Sequence, residues 1–406
     1  MTTTQPPSPA SPKRIVFIAP FGLRPKGTVS VRALPLARAL AARGHQVSLL
    51  IPPWDDPDNA GRTWYDTGVE VVNLPLAGQL PPPSLVARLL AETLRRRPHV
   101  VHVFKPKAYS GLVAAVLWHL RRLRRARLVM DTDDWEGPGG WNNLHAYPPL
   151  LKRLFAWQER YGLTHAHGVT VASRALETLV WAMGVPPHHV HYLPNGSTLA
   201  IPADLDAQAA RVRQALGFAE TPLVLLYTRF FEFNLERLAD VWQAVVRQVP
   251  SARLLVVGRG LFGEDERFAH ALHTRGVAQT WRHLGWVEPN DLAATLRAAD
   301  VALYPMDDTL VNRTKCPVKL ADLMALGIPV VGETVGQVRE YLDEGAGVLV
   351  PPADTAAFAH AVVNLLRSPE TARRIAHKAE HRLRHQFAWS QQAVQLEAFY
   401  HALPTR

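Results

Sequence analysis

Two successive series of β/α alternation constrain this chain more than any other feature. After Lys13 comes the apolar, β-branched run Arg14–Pro20 (RIVFIAP), then a glycine-containing loop, then Leu34, Ala37, Leu40 and Ala41 at helical spacing. Pro35 suits an early helical turn and Gly44 its end, and Gln46–Ile51 (QVSLLI) is a second strand, so the stretch is a βαβ unit. Strands are predicted again at Val69–Leu74, Val100–Phe104, Leu128–Thr132, Val169–Ala172 and Val190–Leu193, with helical patterns such as Leu85–Arg97 and Leu150–Tyr161 between them. Around Asn195–Asp206 (NGSTLAIPADLD) the periodicity breaks, and a second series follows at Leu223–Thr228, Arg253–Gly258, Asp300–Pro305, Pro329–Gly332 and Val348–Val350. Ala372–Gln386 and Ser390–Leu403 then read as helices with no strand between them.

Continuous apolar strands alternating with helices require a mainly parallel sheet covered on both faces, because a half-exposed sheet would show strict apolar–polar alternation. The expected class is therefore α/β, with two Rossmann-like doubly wound domains facing each other across a cleft. Such a cleft, at the carboxyl ends of two sheets and lined by helix N-termini, suits a nucleotide diphosphate. The expected division is a tail at 1–13, a first domain at 14–200, a second at 206–385 and a terminal segment at 386–406.

Composition narrows the class further. The chain has 406 residues, 48% of them hydrophobic, and one cysteine, which excludes a disordered tail protein, a collagen-like chain and a disulfide scaffold. The unpaired Cys316 fits a reducing compartment, so a cytoplasmic location is expected. The uncharged apolar run at 108–120 is shorter than the roughly 18 to 20 residues that span a bilayer, and residues 1–13 lack the apolar core of a secretory signal. Lys+Arg number 45 against 35 Asp+Glu, a net charge of +10 that suits nucleic acid, an anionic membrane surface or a phosphorylated substrate. No strand-linked GxGxxG and no GxxxxGK[ST] occurs, so dehydrogenase and P-loop readings lose support. Gly258-Arg259-Gly260 is only a GxG, compatible with a tight turn after a strand.

The chemistry concentrates in a few stretches. In Asn312–Val331 (NRTKCPVKLADLMALGIPVV), Pro317 can open a helix and Gly327 end it. Lys315, Lys319 and Asp322 then stand at i, i+4 and i+7 and project in similar directions, either as a diphosphate and sugar-hydroxyl site or as a solvated charged face. Met130–Gly140 (MDTDDWEGPGG) ends a strand with three aspartates in four residues. By their chemistry alone these suggest hydroxyl positioning, Mg²⁺ binding or helix capping. His102, in Val100–Lys107 (VVHVFKPK), also falls at a strand end, with Lys105 and Lys107 adding positive charge at the same rim.

At these residues the chain resembles the retaining family 4 of GT-B glycosyltransferases. MALGIPVV matches the end of that family's Glu-x7-Glu motif, with Asp322 at the second acid and Thr314 at the first. AARGHQV at 41–47, Gly27-Thr28 at the N-terminal glycine loop, VTVAS at 169–173, LPNG at 193–196, the run at 281–305 and FAWSQQAVQLEAFY at 387–400 follow the family order. The resemblance implies an acceptor-side first domain, a nucleotide-sugar-binding second domain and a C-terminal helix returning to the first. It implies a sugar moved from a nucleotide diphosphate donor to an acceptor hydroxyl with anomeric configuration kept, without metal or other cofactor. Arg229, Lys315, Lys319, Gly27 and Thr28 would bind the diphosphate; a family lysine about six residues after Arg229 is absent, and Lys315 or Lys319 would replace its charge. Asp322, Gly258, Gly260 and Gly285 would hold the nucleoside, and Thr314 falls at the donor-sugar position. Asp133, Asp134 and His102 would be catalytic. The alternative for Arg229 is an ion pair with Glu232 or Glu236, and for His102 a structural role.

Arg121–Arg127 (RRLRRAR) follows an apolar helix. Arg121, Arg122, Arg124 and Arg125 could contact an anionic membrane, as a lipid-linked or cell-envelope acceptor would require, or form a solvated helix end. Three rivals remain at this level: a nucleotide-sugar-binding protein without turnover, a GT-B sugar epimerase, and a nucleic-acid-binding protein, the last disfavoured by the two-domain order.

Overall fold

The computed structural model describes residues 11–24, 27–76, 82–120, 126–144 and 146–404. The tail expected at 1–13 and the arginines at 121–125 therefore lie largely or wholly outside the described residues. The chain divides into two compact units: Met1–Asn195 with Thr314–Cys316 and Ala388–Arg406, and Gly196–Arg313 with Pro317–Phe387.

The first unit is built on strands β1 (Arg14–Ile18), β2 (Gln46–Ile51), β3 (Thr63–Asp66), β4 (Val69–Asn73), β5 (Val100–Phe104), β6 (Arg127–Thr132), β7 (Gly168–Val171) and β8 (Val190–Tyr192), in the order β3-β4-β2-β1-β5-β6-β7-β8. All neighbours are parallel except β3 and β4, which form an antiparallel edge pair. Residues alternate between the two faces of each strand, and both faces are buried. Ile15 and Phe17 join one core cluster while Val16 and Ile18 join the other, and Val100 and Phe104 oppose Val101 and Val103 in the same way. The helix Trp389–Ala402 supplies Trp389, Leu396 and Tyr400 to the first of these clusters, and Arg43 fixes it by donating to Glu397 at 2.5 and 2.8 Å.

The second unit carries β9 (Leu223–Tyr227), β10 (Arg253–Val257), β11 (Trp281–Gly285), β12 (Val301–Tyr304), β13 (Val330–Glu333) and β14 (Val348–Val350). They form one parallel sheet ordered β11-β10-β9-β12-β13-β14. This is the 3-2-1-4-5-6 order of a doubly wound nucleotide-binding sheet, whose ligand crevice lies at the carboxyl ends of the strands where the winding reverses. Here that point falls between β9 and β12. In the first unit the equivalent reversal falls between β1 and β5.

The helix Val318–Ala325 lies between β12 and β13 in the chain, and its C-terminus shows why MALGIP reads as a helix end. Gly327, at φ +60°, and Ile328 donate back to Met324 and Leu323, closing a Schellman turn that satisfies the last carbonyls. Pro317 is the N-cap of this helix, and a separate short helix ends at Thr314. Lys315 is therefore on neither helix, which corrects the expectation that it shares a face with Lys319 and Asp322. Its tripeptide belongs to the first unit, held there by Ser173 Oγ donating to the Thr314 carbonyl at 2.7 Å and by Asn195 Nδ2 donating to the Cys316 carbonyl at 2.9 Å.

Candidate active site

In the first unit, a compact set of charges gathers past the ends of β5 and β6. Lys105 follows β5 in a left-handed conformation (φ +52°) that a side-chain-bearing residue rarely adopts. Its ammonium meets three carboxylates: Asp134 at 2.8 Å, Asp133 at 3.2 Å and Glu136 at 3.7 Å. Lys107 closes on Glu136 at 2.6 Å, and the Thr28 hydroxyl donates to Asp133 at 3.0 Å. Beneath them the fully buried Arg32 clamps Asp131 with two hydrogen bonds of 2.8 and 2.6 Å and also donates to the Leu193 carbonyl and Asn195 Oδ1.

These charges set one another's protonation. Burial pushes Asp133 up to about 6, against the pull of Lys105 and with Asp134 and Asp131 adding to the rise. Burial works on Asp134 in the same sense, but the Lys105 ammonium, its hydrogen bond and the Lys315 charge outweigh it and hold that carboxyl below its usual range. Two neighbouring acids thus have their proton affinities driven apart. Burial would lower Lys105, but its three carboxylates raise it well above the ordinary lysine range. Glu159, buried nearby and accepting from Thr132, is raised well above its usual range by burial and by Glu136.

His102 is placed elsewhere. On β5 it has the parity of Val100 and Phe104, so it points into the core under the C-terminal helix. It is fully buried, its Nδ1 is 2.6 Å from the Tyr400 hydroxyl and its Nε2 3.0 Å from Thr170 Oγ1. Burial drives it down to about 3, so it is neutral. With both nitrogens engaged, it offers no group to a substrate, and the expectation of a catalytic His102 is corrected to a structural one. Gly27 and Thr28 precede the helical segment that starts at Val29, and Thr28 is committed to Asp133. Thr314 is 1% exposed, so at the donor-sugar position of the motif stands a buried hydroxyl in place of a carboxylate.

The second unit presents a different set at the ends of β9 and β12. Arg229, two residues beyond β9, is exposed and makes no hydrogen bond or ion pair among the described residues. The alternative partners are excluded for it: Glu236 pairs with Arg275 at 2.7 Å, and Glu232 is buried. The next residue, Phe230, is left-handed at φ +70°, so the chain turns sharply where the arginine projects. The Lys319 ammonium lies 3.5 Å from the centre of the Tyr227 ring. Tyr227, Thr228, Glu232, Tyr304, Met306 and Lys319 line a small depression at the sheet's reversal point. One turn along the same helix, Asp322 accepts from Ser197 Oγ at 2.7 Å, and burial pushes it up to about 6 against that hydrogen bond and the Lys319 charge.

Gly258, Gly260 and Gly285 mark the adjoining loops. A side chain on Gly258, at φ +120°, would meet the Thr228 carbonyl at 1.9 Å, and its N–H donates to the Gly285 carbonyl at 2.8 Å. The close approach of the β9, β10 and β11 ends thus requires this glycine whatever else it does. Among the described residues no group of three or more His, Cys, Asp or Glu side chains is arranged to hold a metal ion. The structure therefore gathers Arg229, Lys319 and Asp322 in one unit and Asp133, Asp134, Thr28 and Lys315 in the other. Lys105, Arg32 and Glu136 complete the latter set; of these, only the Lys105 charge drew notice in the sequence.

With this geometry in hand, the comparisons with known proteins are specific. A family model described as glycosyl transferase 4-like domain matches residues 27–196, and one described as glycosyl transferases group 1 matches residues 221–368. The phosphatidyl-myo-inositol mannosyltransferase of Mycobacterium leprae (strain TN) is 25% identical over 415 residues, covering 97% of each chain. The GDP-mannose-dependent alpha-(1-6)-phosphatidylinositol monomannoside mannosyltransferase of Mycolicibacterium smegmatis is 25% identical over 364 residues, 87% of this chain and 90% of that one. Among solved structures, sucrose-phosphate synthase from Thermosynechococcus elongatus superposes with a TM-score of 0.69 over 96% of this chain and 98% of its own, at 21% identity. The chain belongs to the family 4-like glycosyltransferases of the GT-B fold. It is an enzyme that transfers a sugar from a nucleotide sugar.

Proposed function

We propose that this enzyme is a retaining mannosyltransferase that uses GDP-mannose and a lipid-linked acceptor of the phosphoinositide type. The observation that carries the reading is Arg229: a permanently charged, exposed guanidinium with no hydrogen bond or ion pair among the described residues, beside Lys319 and the buried Asp322, at the reversal point of a nucleotide-binding sheet. Arg229 and Lys319 would take the diphosphate, the arginine through a bidentate contact. Asp322 would accept a ribose hydroxyl. The relatives named for GDP-mannose and phosphatidylinositol substrates supply the donor and acceptor classes.

In the reaction the bond between the anomeric carbon and the diphosphate oxygen breaks, and a bond from that carbon to the acceptor oxygen forms. The acceptor proton passes to the departing phosphate. The leaving group gathers negative charge as the bond lengthens, and cations fixed in advance stabilise it without reorganising. Asp133 and Asp134 would orient the reacting hydroxyls, with Lys105 holding both in place. Asp133, Asp134 and Glu136 are already paired with Lys105 and Lys107 rather than left open to a divalent cation, which supports transfer without a metal. Arg121, Arg122, Arg124 and Arg125 would add contact with an anionic membrane on its cytoplasmic face, and no nucleic acid is involved.

The test is a transfer assay with GDP-, UDP-, ADP- and dTDP-sugars and detergent-dispersed phosphatidylinositol. GDP-mannose should give a mannolipid of α configuration. In the Asp133→Asn variant, donor binding should persist while transfer falls by about 100-fold, the scale of a lost group acting in the transition state. A β-linked product, preference for another donor, or wild-type turnover in that variant would each remove the corresponding part of the reading.

A further inference from the structure

The helix Pro149–Thr164 in the first unit buries one face only. Phe155, Gln158, Glu159, Gly162 and Leu163 pack inward. At 3.6 residues per turn, Leu150, Leu154, Trp157 and Tyr161 recur at i, i+4, i+7 and i+11 and form a single stripe on the opposite side. Leu150 is 79% exposed, Trp157 48% and Leu154 37%. The stripe is also ordered: the Trp157 and Tyr161 rings stack at 5.1 Å, and His119 Nε2 lies 2.8 Å from the Tyr161 hydroxyl. Arg153 and Arg160, both exposed, run along one border, while the helix's one acid, Glu159, is buried on the far face.

An ordinary surface helix turns its polar side outward. This one turns outward leucines and a tryptophan edged by arginines, the pattern of a helix lying in the plane of a membrane interface. We propose that this stripe docks the enzyme on an anionic lipid bilayer, with Leu150, Leu154 and Trp157 entering the headgroup boundary and Arg153 and Arg160 meeting lipid phosphates. Charge decides the occupant. A basic border without an exposed acid in the helix complements an anionic surface, whereas a symmetric contact with a second copy would bring the same arginines towards each other. The choice of lipid agrees with, and in part rests on, the lipid-linked acceptor proposed above. The stripe includes none of the arginines at 121–125.

Co-sedimentation with sucrose-loaded vesicles tests this in the absence of donor, so its outcome does not depend on turnover. The full chain should bind vesicles of phosphatidylcholine with phosphatidylglycerol at least tenfold more tightly than phosphatidylcholine alone, and less tightly as salt rises. Leu150→Gln/Leu154→Gln/Trp157→Gln should lose at least tenfold. Arg153→Gln/Arg160→Gln should lose about tenfold or more, from about one favourable surface charge interaction per arginine. Both variants should keep the wild-type melting temperature and GDP-mannose thermal shift, which separates a failed docking face from a failed donor site. No binding to the anionic vesicles, or equal binding by wild type and folded variants, overturns the proposal. So does a concentration-dependent dimer that the triple variant abolishes in the absence of any vesicle binding, which would assign the stripe to a second copy.

Discussion

The two strand-end clusters use the same fold in opposite ways. In the first unit, Asp131, Asp133, Asp134 and Glu136 are matched by Arg32, Lys105 and Lys107 in a closed set of ion pairs. In the second, the exposed Arg229 makes no hydrogen bond or ion pair among the described residues and Lys319 rests on an aromatic face. A cluster whose charges are already paired within it holds a geometry; a cation without an ion-pair partner at a sheet's reversal point is complementary to an anion that has yet to arrive. On the function proposed above, the first unit would position hydroxyls and the second would bind the diphosphate.

Lysine substitutions should break this contrast most visibly. Lys105→Met leaves three buried carboxylates without their shared counter-ion, and urea denaturation at pH 7.5 should show a loss of about 3–5 kcal/mol. The sign with pH follows from proton uptake. Without Lys105, Asp133 rises further above its unfolded value and Asp134 loses the charge that holds it below its own, so the folded state binds more protons and stability returns as pH falls towards 4. Lys319→Met, by contrast, should leave stability within about 0.5 kcal/mol, as for other substitutions of partly exposed residues outside the core, and weaken donor binding. Equal destabilisation by the two would erase the distinction.

Asp322→Asn sharpens the second unit. Because burial raises Asp322 from the ordinary carboxylate value to about 6, its ionisation opposes folding as pH climbs through the interval from about 4 to 6, and the cost is complete above it. The asparagine variant should therefore be more stable at pH 7.5, by up to about 3 kcal/mol in urea denaturation, with the gap closing near pH 4. It should also bind donor more weakly at the ribose. A gap independent of pH would mean that Asp322 is not ionised against its surroundings. The smallest effect on catalysis is expected from His102→Gln. It should lower stability by about 1–3 kcal/mol, through the lost Tyr400 and Thr170 hydrogen bonds, and leave the pH profile of transfer unchanged.

Much of the fold was legible because buried parallel strands are nearly continuous apolar runs, as in RIVFI and QVSLLI. The edge strand Thr63–Asp66 was not, since its four residues are exposed or half-buried and carry no such run. Arg229 and Asp322 stood out from their strand and helix contexts. Lys315 has helical spacing to Lys319 and Asp322 in the sequence, but that spacing runs through Pro317, which opens the helix two residues later and leaves Lys315 outside it. His102 stands near a strand end, which in sequence resembles a site position, but its parity with Val100 and Phe104 turns it into the core. The pairing of Arg32 with Asp131 across 99 residues, and of Lys105 with Asp134 across 29, is set by strand adjacency and leaves no local pattern to read.

The central claim is that Arg229 receives the donor diphosphate. Calorimetric titration of GDP-mannose into wild type and Arg229→Ala tests it most directly. The account predicts a 10- to 100-fold weaker affinity in the variant, equivalent to about 1.5–3 kcal/mol for a hydrogen bond to a charged group, at unchanged melting temperature. Identical affinities in two folded proteins would contradict it.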